Sequence, residues 1–552
     1  SDSPHPIRYP FPYGRIPSPT SPRLHSREPL HSNGSARHSP AAIKRPAPAV
    51  SYLIISGGTG ANSFASAFGR SPAFVLPVSD DGGSSSEILR CFAGPSIGDI
   101  RSRLIRLIPL PNHPETKDEV ERMAIFNLMS YRFPIDVAER VVRDLWLEVV
   151  EGRSELWSGI GEDKKECIRA FLVHFQTLCL RRAHKRFSFL NFSLGNGFLT
   201  GARDLFGSLP SAIFLFKSVA GVSQGAQVIP VINTNREYAR PEADSTLTTR
   251  KSQETITIAA QLANSTTLIG QCTISHPSPP ATPLPLSAVS SAHPLPFRGT
   301  HLRRDSRTFD TVDTSLPPSV RTSPSTRTPL ESRPWDTVTP DPTSIDDEVI
   351  GNIGYRKGAG EIPLEARIER LFYINLYSQE VFPEPNPEYL EALNERDVLV
   401  YSCGSLWTSI IPCLALRGLA TAIGQSKSLK AKVLLLNSKN DRETPDYVAS
   451  EYINNILDTL RHYDAPKRTR GRAPKPNIAW ESRSLLTHIV YLEGGAVEVD
   501  REAIEAMGIE MVMVPSSVSG GGGESDRSLF NTEVVEWAME RILASVEGSR
   551  LG

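Results

Sequence analysis

The stretch YLIISGGTGANSFASAFG (residues 52–69) predicts a strand followed by a glycine-rich turn. It begins as an apolar run typical of a buried strand, and the glycines that follow allow the tight turn and close backbone approach that a phosphate group requires. We expect a helix of small residues after the turn, with its unpaired N–H groups facing the anion. The candidate phosphate-binding residues are Gly57, Gly58, Thr59 and Gly60.

Three other interpretations of this turn can be compared. A Walker A loop is excluded because no Gly-Lys-Ser/Thr follows the glycines. A dinucleotide-binding turn would keep Gly58 and Gly60 but has Ser63 at the third glycine position. A tight strand-to-helix turn that binds no ligand is the remaining alternative.

Composition separates a folded part of the chain from segments outside its core. Hydrophobic residues make up 39% of the 552 residues and there are 45 prolines, so part of the chain lies outside a packed core. The net charge of -1 gives no electrostatic reason to expect nucleic acid or a membrane as partner. The six cysteines form no CxxC pair, which favours reduced thiols. We therefore expect a cytoplasmic, soluble protein.

Segments of biased composition interrupt the pattern of strands and helices. We expect residues 1–48 to be a disordered Ser/Pro/Arg-rich tail, residues 275–347 a disordered Pro/Ser/Thr-rich insertion, and residues 462–477 a short basic insertion. The basic tail also resembles a transit peptide, but its prolines would break the helix that such peptides form. The remaining residues, 49–274 and 348–546, are predicted to form one domain.

Within that domain, short apolar runs alternate with helical patterns. This alternation predicts an α/β, Rossmann-like doubly wound fold, with a mainly parallel sheet and helices on both faces. The predicted strands are residues 52–56, 74–79, 211–217, 228–233, 398–401, 432–437, 488–492 and 511–515. The predicted helices are residues 136–150, 164–182, 194–205, 447–463 and 534–545.

Acidic and small polar residues follow the second predicted strand. Asp80 and Asp81 end that strand, and paired carboxylates beside a phosphate loop suit Mg²⁺ or a ligand hydroxyl. A solvated acidic turn is the alternative. Asp99 opens a later helix, where on its own it is interpreted as an N-cap. The flexible loop after the acids adds the candidate ligand-binding residues Gly82, Gly83 and Ser84.

Three further strand ends or helix starts carry small polar groups. The stretch NFSLGNGFLTG places such groups at the start of a helix, YSCGSLWTS places them after a buried strand, and VIPVINTN places asparagines at the end of another strand. Such junctions suggest several phosphate or ribose contacts, although loop capping accounts for any one of them. The candidates are Ser193, Gly195, Asn196, Asn233, Gly404, Ser405 and Thr408.

The ordered motifs ISGGTGANSF, LPVSDDGGSSSEI, GPSIGDIRSRLIRL, FSLGNGFLTG, CGSLWTSIIPCL and NSKNDRET resemble the phospholactate transferase (CofD-like) superfamily, and most its gluconeogenesis-factor (YvcK-like) branch. The resemblance extends from about residue 52 to 515. It implies a Rossmann-like fold with one nucleotide site at the strand ends. One branch transfers a phospholactyl group from a guanosine diphospho compound to a deazaflavin alcohol with Mg²⁺. The YvcK-like branch binds UDP-sugars and regulates carbon and cell-wall metabolism.

The resemblance also implies roles for individual residues. The first glycines would hold the nucleotide's phosphates, and the acids Asp80, Asp81 and Asp99 would hold Mg²⁺ and the acceptor hydroxyl, with the metal on Asp80 or Asp81. The later polar candidates would line the nucleotide and sugar. Two departures put the ligand in doubt: Phe192 stands where the YvcK-like branch has histidine, and Arg442 where glycine is common.

Three functions follow from these residues. The first is a Mg²⁺-dependent transferase in which an acceptor hydroxyl attacks a nucleoside diphospho compound. The second is a UDP-sugar-binding regulator without catalysis, for which Ser-Pro and Thr-Pro dipeptides in the tail and insertion suit phospho-dependent partners. The third, an NAD-dependent dehydrogenase built on Gly58, Gly60 and Asp80, is disfavoured by the flexible polar loop after the acids. In each case the partner is a nucleotide-containing small molecule, and a homodimer is left open.

Overall fold

A parallel sheet of seven strands organises the part of the chain that the structure describes. The computed structural model describes residues 50–232, 256–275, 363–375, 377–464, 480–518 and 529–551. Its strands are β1 (Tyr52–Ile55), β2 (Ala73–Leu76), β3 (Gln227–Pro230), β4 (Thr257–Leu262), β5 (Thr267–Ile269), β6 (Ile368–Ile374), β7 (Glu380–Val381), β8 (Val398–Tyr401), β9 (Ala431–Leu435), β10 (His488–Leu492) and β11 (Glu510–Val514).

Fourteen α-helices are found in the same residues. They are α1 (Gly83–Phe92), α2 (Gly98–Arg106), α3 (Lys117–Ser130), α4 (Glu139–Val150), α5 (Glu162–Arg181), α6 (Leu194–Phe206), α7 (Leu209–Ala220), α8 (Gln271–Ser275), α9 (Pro387–Glu395), α10 (Leu419–Gln425), α11 (Ala449–Tyr463), α12 (Ser482–Leu485), α13 (Arg501–Ala506) and α14 (Thr532–Leu551). Short 3₁₀ helices occupy Ala65–Phe68, Glu155–Trp157, Ala183–Lys185 and Ile411–Cys413, and a π-helix occupies Leu406–Ile410.

The strand order of the large sheet is β11-β10-β9-β8-β1-β2-β3, and every pairing in it is parallel. The chain runs outward from β1 to β3 on one side, then returns to β8 on the other side of β1 and runs outward to β11. The direction therefore reverses between β1 and β8, and ligands of doubly wound sheets bind outside the carboxyl ends of the strands at such a point.

Both faces of this sheet are covered, as its apolar strands require. All residues of β1, β2, β8, β9 and β10 are buried. Alternate residues of β1 enter two separate cores: Leu53 and Ile55 join the larger one, while Tyr52 and Ile54 pack on the face covered by α14. The predicted α/β fold class with a parallel sheet between helices is confirmed.

A second sheet was not foreseen. It is antiparallel, with the order β5-β4-β6-β7, and the β4–β6 ladder pairs Ile258 with Tyr373. Strands β4 and β6 lie on opposite sides of residues 276–362, which are outside the described residues. On one side the described chain runs through β4, β5 and α8 before residue 276, and on the other it resumes at residue 363, shortly before β6.

The predicted strand over residues 211–217 is wrong, because these residues belong to helix α7. The Ser208 hydroxyl accepts a hydrogen bond from the Ser211 N–H at the start of the helix, and Gly221 ends it in the left-handed conformation. A short run such as AIFLF is apolar on every side, so periodicity alone cannot separate a buried strand from a buried helix.

The expected helix after the first glycines is also shorter than predicted. Only the 3₁₀ helix Ala65–Phe68 follows β1. Phe64 and Phe68 turn inward, Phe64 packs against Phe530, and the Ser63 hydroxyl donates to the Phe530 carbonyl. Helix α14 thus covers the face where the helix of a dinucleotide-binding fold would lie. An anion at the turn after β1 would therefore be bound by loop amides, without the dipole of a following α-helix.

Several other features can be compared with the sequence. The tail, the long insertion apart from Ser275, and residues 465–477 of the short insertion lie outside the described residues, while Tyr463 is still part of α11. All six cysteines are free thiols. Among the described residues, no helix is long and apolar enough to cross a membrane.

Candidate functional site

Two glycine-containing loops meet at the point where the sheet reverses direction. We call residues 57–60, after β1, the β1 loop, and residues 403–408, after β8, the β8 loop. A Cβ on Gly60 would lie 2.7 Å from the Cys403 carbonyl oxygen and 3.2 Å from the Gly404 Cα. Gly404 has a φ of 138°, a conformation that favours glycine. Only glycines allow the two backbones to approach this closely.

Asp99 lies against the β1 loop from helix α2. A Cβ on Gly58 would be 2.5 Å from the Asp99 Oδ1, and the Gly58 N–H donates to the Asp99 carboxylate. The N-cap of α2 is Ile97, so the interpretation of Asp99 as an N-cap was wrong. The reason is the contact with Gly58, which the order of residues along the chain cannot reveal.

The environment of Asp99 favours a neutral carboxyl group. Burial, followed by the nearby charge of Asp80, raises the pKa of Asp99 to about 7, while the Gly58 N–H and the positive charge of Arg103 oppose the shift. The Oδ2 atom of Asp99 is buried and has no hydrogen-bond partner among the described residues. Asp99 can therefore exchange a proton near neutral pH beside the β1 loop.

Arg103 supports the β1 loop from below. Its side chain is completely buried, and the guanidinium donates to the Ala61 carbonyl (3.3 Å), the Ser56 hydroxyl (3.4 Å) and the Gly57 carbonyl (3.5 Å). It also lies 4.4 Å above the ring of Phe74, a cation–π contact. Arg103 follows Asp99 by four residues, so one face of α2 presents both a carboxyl group and a guanidinium group to the loop.

Asp80 lies at the carboxyl end of β2, next to the start of α2. Its Oδ1 accepts the Gly82 N–H (3.0 Å) and its Oδ2 accepts the Ser85 hydroxyl (2.9 Å). A Cβ on Gly98 would be 2.1 Å from the same Oδ2, so glycine is required there. Burial raises the pKa of Asp80, and the two hydrogen bonds offset part of that effect.

Asp81 turns away from Asp80 toward another element. Its Oδ1 accepts the Cys272 N–H at 2.7 Å, in the first turn of α8, and its Oδ2 lies where a Cβ on Gly270 would be placed. The two adjacent acids therefore have different surroundings. The carboxylate that accompanies Asp80 at the loops is Asp99, whereas Asp81 contacts the start of α8.

The start of α6 brings the third group of predicted residues to the same edge. Asn196 donates through Nδ2 to the Ser84 hydroxyl at 2.9 Å, which connects α6 with the start of α1. Gly195 allows close packing, because a Cβ there would lie 2.5 Å from the Met129 carbonyl. The Ser193 hydroxyl and the Asn196 Oδ1 are buried and unpartnered in the described part of the chain.

Two arginines lie beside this helix start. The Arg101 Cδ is 3.0 Å from the position of a Cβ on Gly195, and the backbone of Arg132 pairs with that of Ser193. Burial and then the charge of Arg132 lower the pKa of Arg101 to about 9, and burial also lowers the pKa of Arg132. Both guanidiniums remain charged at neutral pH, and both lie close enough to Asp80 to feel its charge.

The β8 loop makes its polar contacts within the chain. Glu443, which is buried, accepts the N–H groups of Trp407 (2.9 Å) and Thr408 (3.1 Å) and the Thr408 hydroxyl (2.5 Å). Asn437 accepts the Gly404 N–H (2.9 Å) and donates to the Gly404 carbonyl (2.8 Å). Thr408, at the end of the loop, is therefore buried and held by Glu443, whereas Gly404 and Ser405 are half-buried at the surface of the loop.

A cavity of about 240 Å³ lies next to the β8 loop, at the carboxyl ends of β9 and β10. Asn437, which holds Gly404, forms part of its wall together with Tyr491 and Glu493. Asn437 therefore contacts both the cavity and the β8 loop.

The structure brings most of the predicted site residues to one edge of the sheet. The β1 loop, Asp80, Asp99, Gly82, Gly83, Ser84 and the start of α6 lie on the β2 side, and Gly404 and Ser405 on the β8 side. Asn233 lies outside the described residues. Phe192 is 1% exposed and stacks on Phe175 (5.2 Å between ring centres), so this departure from the family pattern lies in the core.

Sequence reasoning did not single out three arginines of this site. Arg101 and Arg103 belong to the quoted GDIRSR motif, and their spacing from Asp99 on a helix was a usable signal. Arg132 follows α3, and no local pattern connects it with residues 193–196. Its place depends on tertiary packing alone.

The fold and the site together define a doubly wound α/β protein with a glycine loop, two acids and three arginines at its switch point. The chain belongs to the family described as 2-phospho-L-lactate transferase CofD, which matches residues 53–516. The resemblance proposed from the sequence is therefore confirmed.

Individual proteins and a solved structure are also similar to this chain. The Saccharomyces cerevisiae protein "Uncharacterized protein YNL011C" is 33% identical over 478 residues, which cover 85% of this chain and 96% of the relative. A protein named "Gluconeogenesis factor" from Halalkalibacterium halodurans is 39% identical over 75 residues, 14% of this chain and 23% of the relative. A crystal structure of a upf0052-family protein from Bacillus halodurans has a TM-score of 0.47 and 18% identity, and the match covers 89% of this chain and 99% of that one.

Proposed function

We propose that the protein is a nucleotide-binding transferase of the phospholactate transferase type. The observation that carries this proposal is Asp99, a half-buried carboxyl group beside the β1 loop with an unpartnered oxygen and a pKa raised to about 7. A general base is most effective when its pKa lies near the working pH. A site that only bound phosphate would gain nothing from a carboxylate there.

The proposed reaction joins an acceptor alcohol to one phosphorus of a nucleoside diphospho compound. The acceptor oxygen attacks that phosphorus, the bond to the bridging oxygen breaks, and a nucleoside monophosphate leaves with the bonding electrons. Asp99 takes the acceptor's proton, so atoms and charge balance. Such a transfer depends mainly on positioning and charge stabilisation, which the amides of the β1 loop supply.

Asp80, with Asp81 beside it, is where a Mg²⁺ ion would be held. Mg²⁺ prefers oxygen ligands and is usually bound by one or two carboxylates together with substrate phosphates. Asp99 is left to act as the base, because a carboxylate bound to the metal would not take the acceptor's proton. The metal is therefore proposed on Asp80 or Asp81, as expected from the sequence. Bound there, Mg²⁺ would neutralise charge on the phosphate oxygens.

The cavity beside the β8 loop is the proposed position of the nucleoside. It lies one to two strands from β8, a distance that a ribose and base can span from phosphates at the switch point. Asn437 and Tyr491 offer a hydrogen-bonding group and an aromatic surface in its wall. Its volume of about 240 Å³ supports a single heterocycle rather than a second large substrate.

The test is the variant Asp99→Asn, which keeps the size of the side chain and an oxygen for the Gly58 N–H. Nucleotide affinity should stay within about threefold of wild type while release of nucleoside monophosphate falls about 10²-fold to 10⁴-fold. Asp118→Asn, which changes an exposed acid in the first turn of α3, is the matched control and should leave both unchanged. Unaltered turnover in Asp99→Asn would remove Asp99 from this role.

A second candidate is a UDP-sugar-binding regulator that carries out no reaction. It is favoured by the local similarity to a protein named gluconeogenesis factor. A thermal-shift screen with GDP, UDP-N-acetylglucosamine and a deazaflavin, each with and without Mg²⁺, separates the two. Stabilisation by the UDP-sugar alone, with no product formed, would support the regulator.

A further inference from the structure

Beside the β1 loop lies a second group of cationic and hydrogen-bonding groups that the proposed phosphate contacts do not use. We call Arg101, Arg132, Ser193 and the first turn of α6 the α6 cluster. Its members come from three separate parts of the chain. The Arg101 side chain lies on Gly195, and Arg132 pairs through its backbone with Ser193.

Two observations in the α6 cluster indicate an anion-binding site. The Ser193 hydroxyl is completely buried at the N-cap of a thirteen-residue helix, yet it makes no capping bond and has no partner among the described residues. The Arg101 Nε is likewise buried without a partner there. Unpaired buried polar groups cost free energy, so they are expected where a ligand supplies the missing hydrogen bonds.

The charges of the cluster support the same conclusion. Arg101 and Arg132 lie close enough for their positive charges to repel one another, a repulsion that a bound anion would reduce, and the Arg132 Nη1 donates to the Asn191 carbonyl at 3.3 Å. Asp80 is the nearest acid acting on both, but its two oxygens already accept bonds from Gly82 and Ser85. Both arginines are half-buried, so a ligand can reach them from solvent.

We propose that the α6 cluster binds an acidic group of the substrate other than the diphosphate on the β1 loop. Its chemistry suits an oxyanion, either a phosphate or a carboxylate, because guanidinium groups, a hydroxyl and helix N–H groups all donate hydrogen bonds. The inference rests on the proposed function, since it places this group on the acceptor or on the group transferred. It predicts that substrates without a second acidic group bind poorly.

The experiment measures thermal stabilisation of the full chain by inorganic phosphate and, separately, by malonate, at constant ionic strength. Arg101→Met should raise the half-saturating concentration of the effective anion about tenfold or more. Ser193→Ala, which removes one hydroxyl and keeps the fold, should raise it about threefold. Arg153→Met is the matched control, because Arg153 is exposed and pairs only with Glu151 in the described residues; it should have no effect.

Outcomes of this experiment separate the inference from the proposed function. An arginine-dependent response to phosphate or to malonate supports the cluster and identifies the group as phosphate or carboxylate. The same response together with no stabilisation by GDP or UDP-N-acetylglucosamine overturns the proposed function and leaves the cluster standing. Equal responses in Arg101→Met, Ser193→Ala and Arg153→Met overturn the cluster, even where nucleotide binding is normal.

Discussion

The two loops that meet at the switch point differ in how their polar groups are satisfied. On the β8 side, Glu443 and Asn437 hold the backbone and Thr408 through five hydrogen bonds. On the β1 side, the Asp99 Oδ2 and the Ser193 hydroxyl are buried without a partner among the described residues. The backbone of the β8 loop is therefore already held by protein groups, although the Trp407 Nε1 and the Ser402 hydroxyl are buried without a partner in the described part of the chain. The β1 side instead has a carboxylate oxygen and a hydroxyl that a ligand can use.

This difference explains why similar sequence signals lead to different roles. Both loops have a strand followed by glycine and small polar residues, which predicts a phosphate contact. In the β8 loop, buried Glu443 already accepts hydrogen bonds from the Trp407 and Thr408 N–H groups, which a phosphate contact would need. In the β1 loop, the acid from α2 occupies only the Gly58 N–H. Substitutions on the two sides should therefore affect different properties.

The largest effect is expected where the two loops touch. Gly60→Ala would place a methyl group 2.7 Å from the Cys403 carbonyl and should force the loops apart, with a loss of about 3 kcal/mol in the free energy of unfolding. Nucleotide binding should be lost as well. Urea denaturation and a nucleotide titration measure both effects.

The control for that variant is Gly548→Ala in α14. No atom lies within 4 Å of a Cβ at this exposed position, and alanine in a helix is favoured over glycine by about 0.5–1 kcal/mol. It should therefore stabilise the protein slightly. Equal losses in both variants would show that the approach of the two loops has no special importance.

On the supporting side, Glu443→Ala should lower the free energy of unfolding by about 2–3 kcal/mol, because two N–H groups and a hydroxyl lose their buried acceptor. Burial and Asp441 raise the pKa of Glu443 to about 8, so its carboxyl group is mostly neutral at pH 7. The neutral substitution Glu443→Gln should accordingly cost about 1 kcal/mol. A larger loss in Glu443→Gln than in Glu443→Ala would contradict the supporting role.

On the ligand side, Asp99→Asn should change how stability depends on pH. The pKa of Asp99 is raised from 3.8 to about 7 in the folded protein, so its contribution is fully present below pH 3.8 and is lost as the pH rises to about 7. Asparagine does not titrate. The variant should therefore gain stability relative to wild type by about 1 kcal/mol or more at pH 8 compared with pH 4. Parallel pH–stability curves would show that Asp99 has an ordinary pKa.

The smallest effects come from matched hydroxyl deletions. Ser193→Ala removes an unpartnered hydroxyl and should change the free energy of unfolding by less than about 0.5 kcal/mol. Thr408→Val removes a hydroxyl that donates to buried Glu443 and should cost about 1–2 kcal/mol. Thermal unfolding at one pH compares them directly. The reverse order would contradict the contrast between the two sides.

The sequence predicted the strands of the large sheet and five of the fourteen α-helices in the described residues because those signals were local. Continuous apolar runs marked buried strands such as β8 and β10, and glycines marked the turns at their carboxyl ends. The strand predicted at residues 211–217 was wrong because a short, wholly apolar run shows no periodicity that separates a strand from a helix. The antiparallel sheet was missed because its strands β4 and β6 pair across a segment of about a hundred residues.

The sequence predicted which residues belong to the site better than it predicted which groups those residues contact. The family motifs located Asp80, Asp81 and Asp99, but no pattern showed that Asp81 turns toward Cys272 while Asp99 contacts Gly58. Arg132 had no signal at all. Such pairings depend on packing between residues far apart in the chain, which one sequence does not display.

Hydrogen exchange of the full chain, with and without GDP or a UDP-sugar and with Mg²⁺, shows which side of the switch point binds the nucleotide. If the β1 side is the ligand surface, exchange at residues 57–63, 82–86 and 98–103 should slow when the nucleotide binds. Exchange at residues 535–545 of α14 should stay unchanged. Protection confined to other parts of the chain, or no protection at saturating nucleotide, would contradict the account.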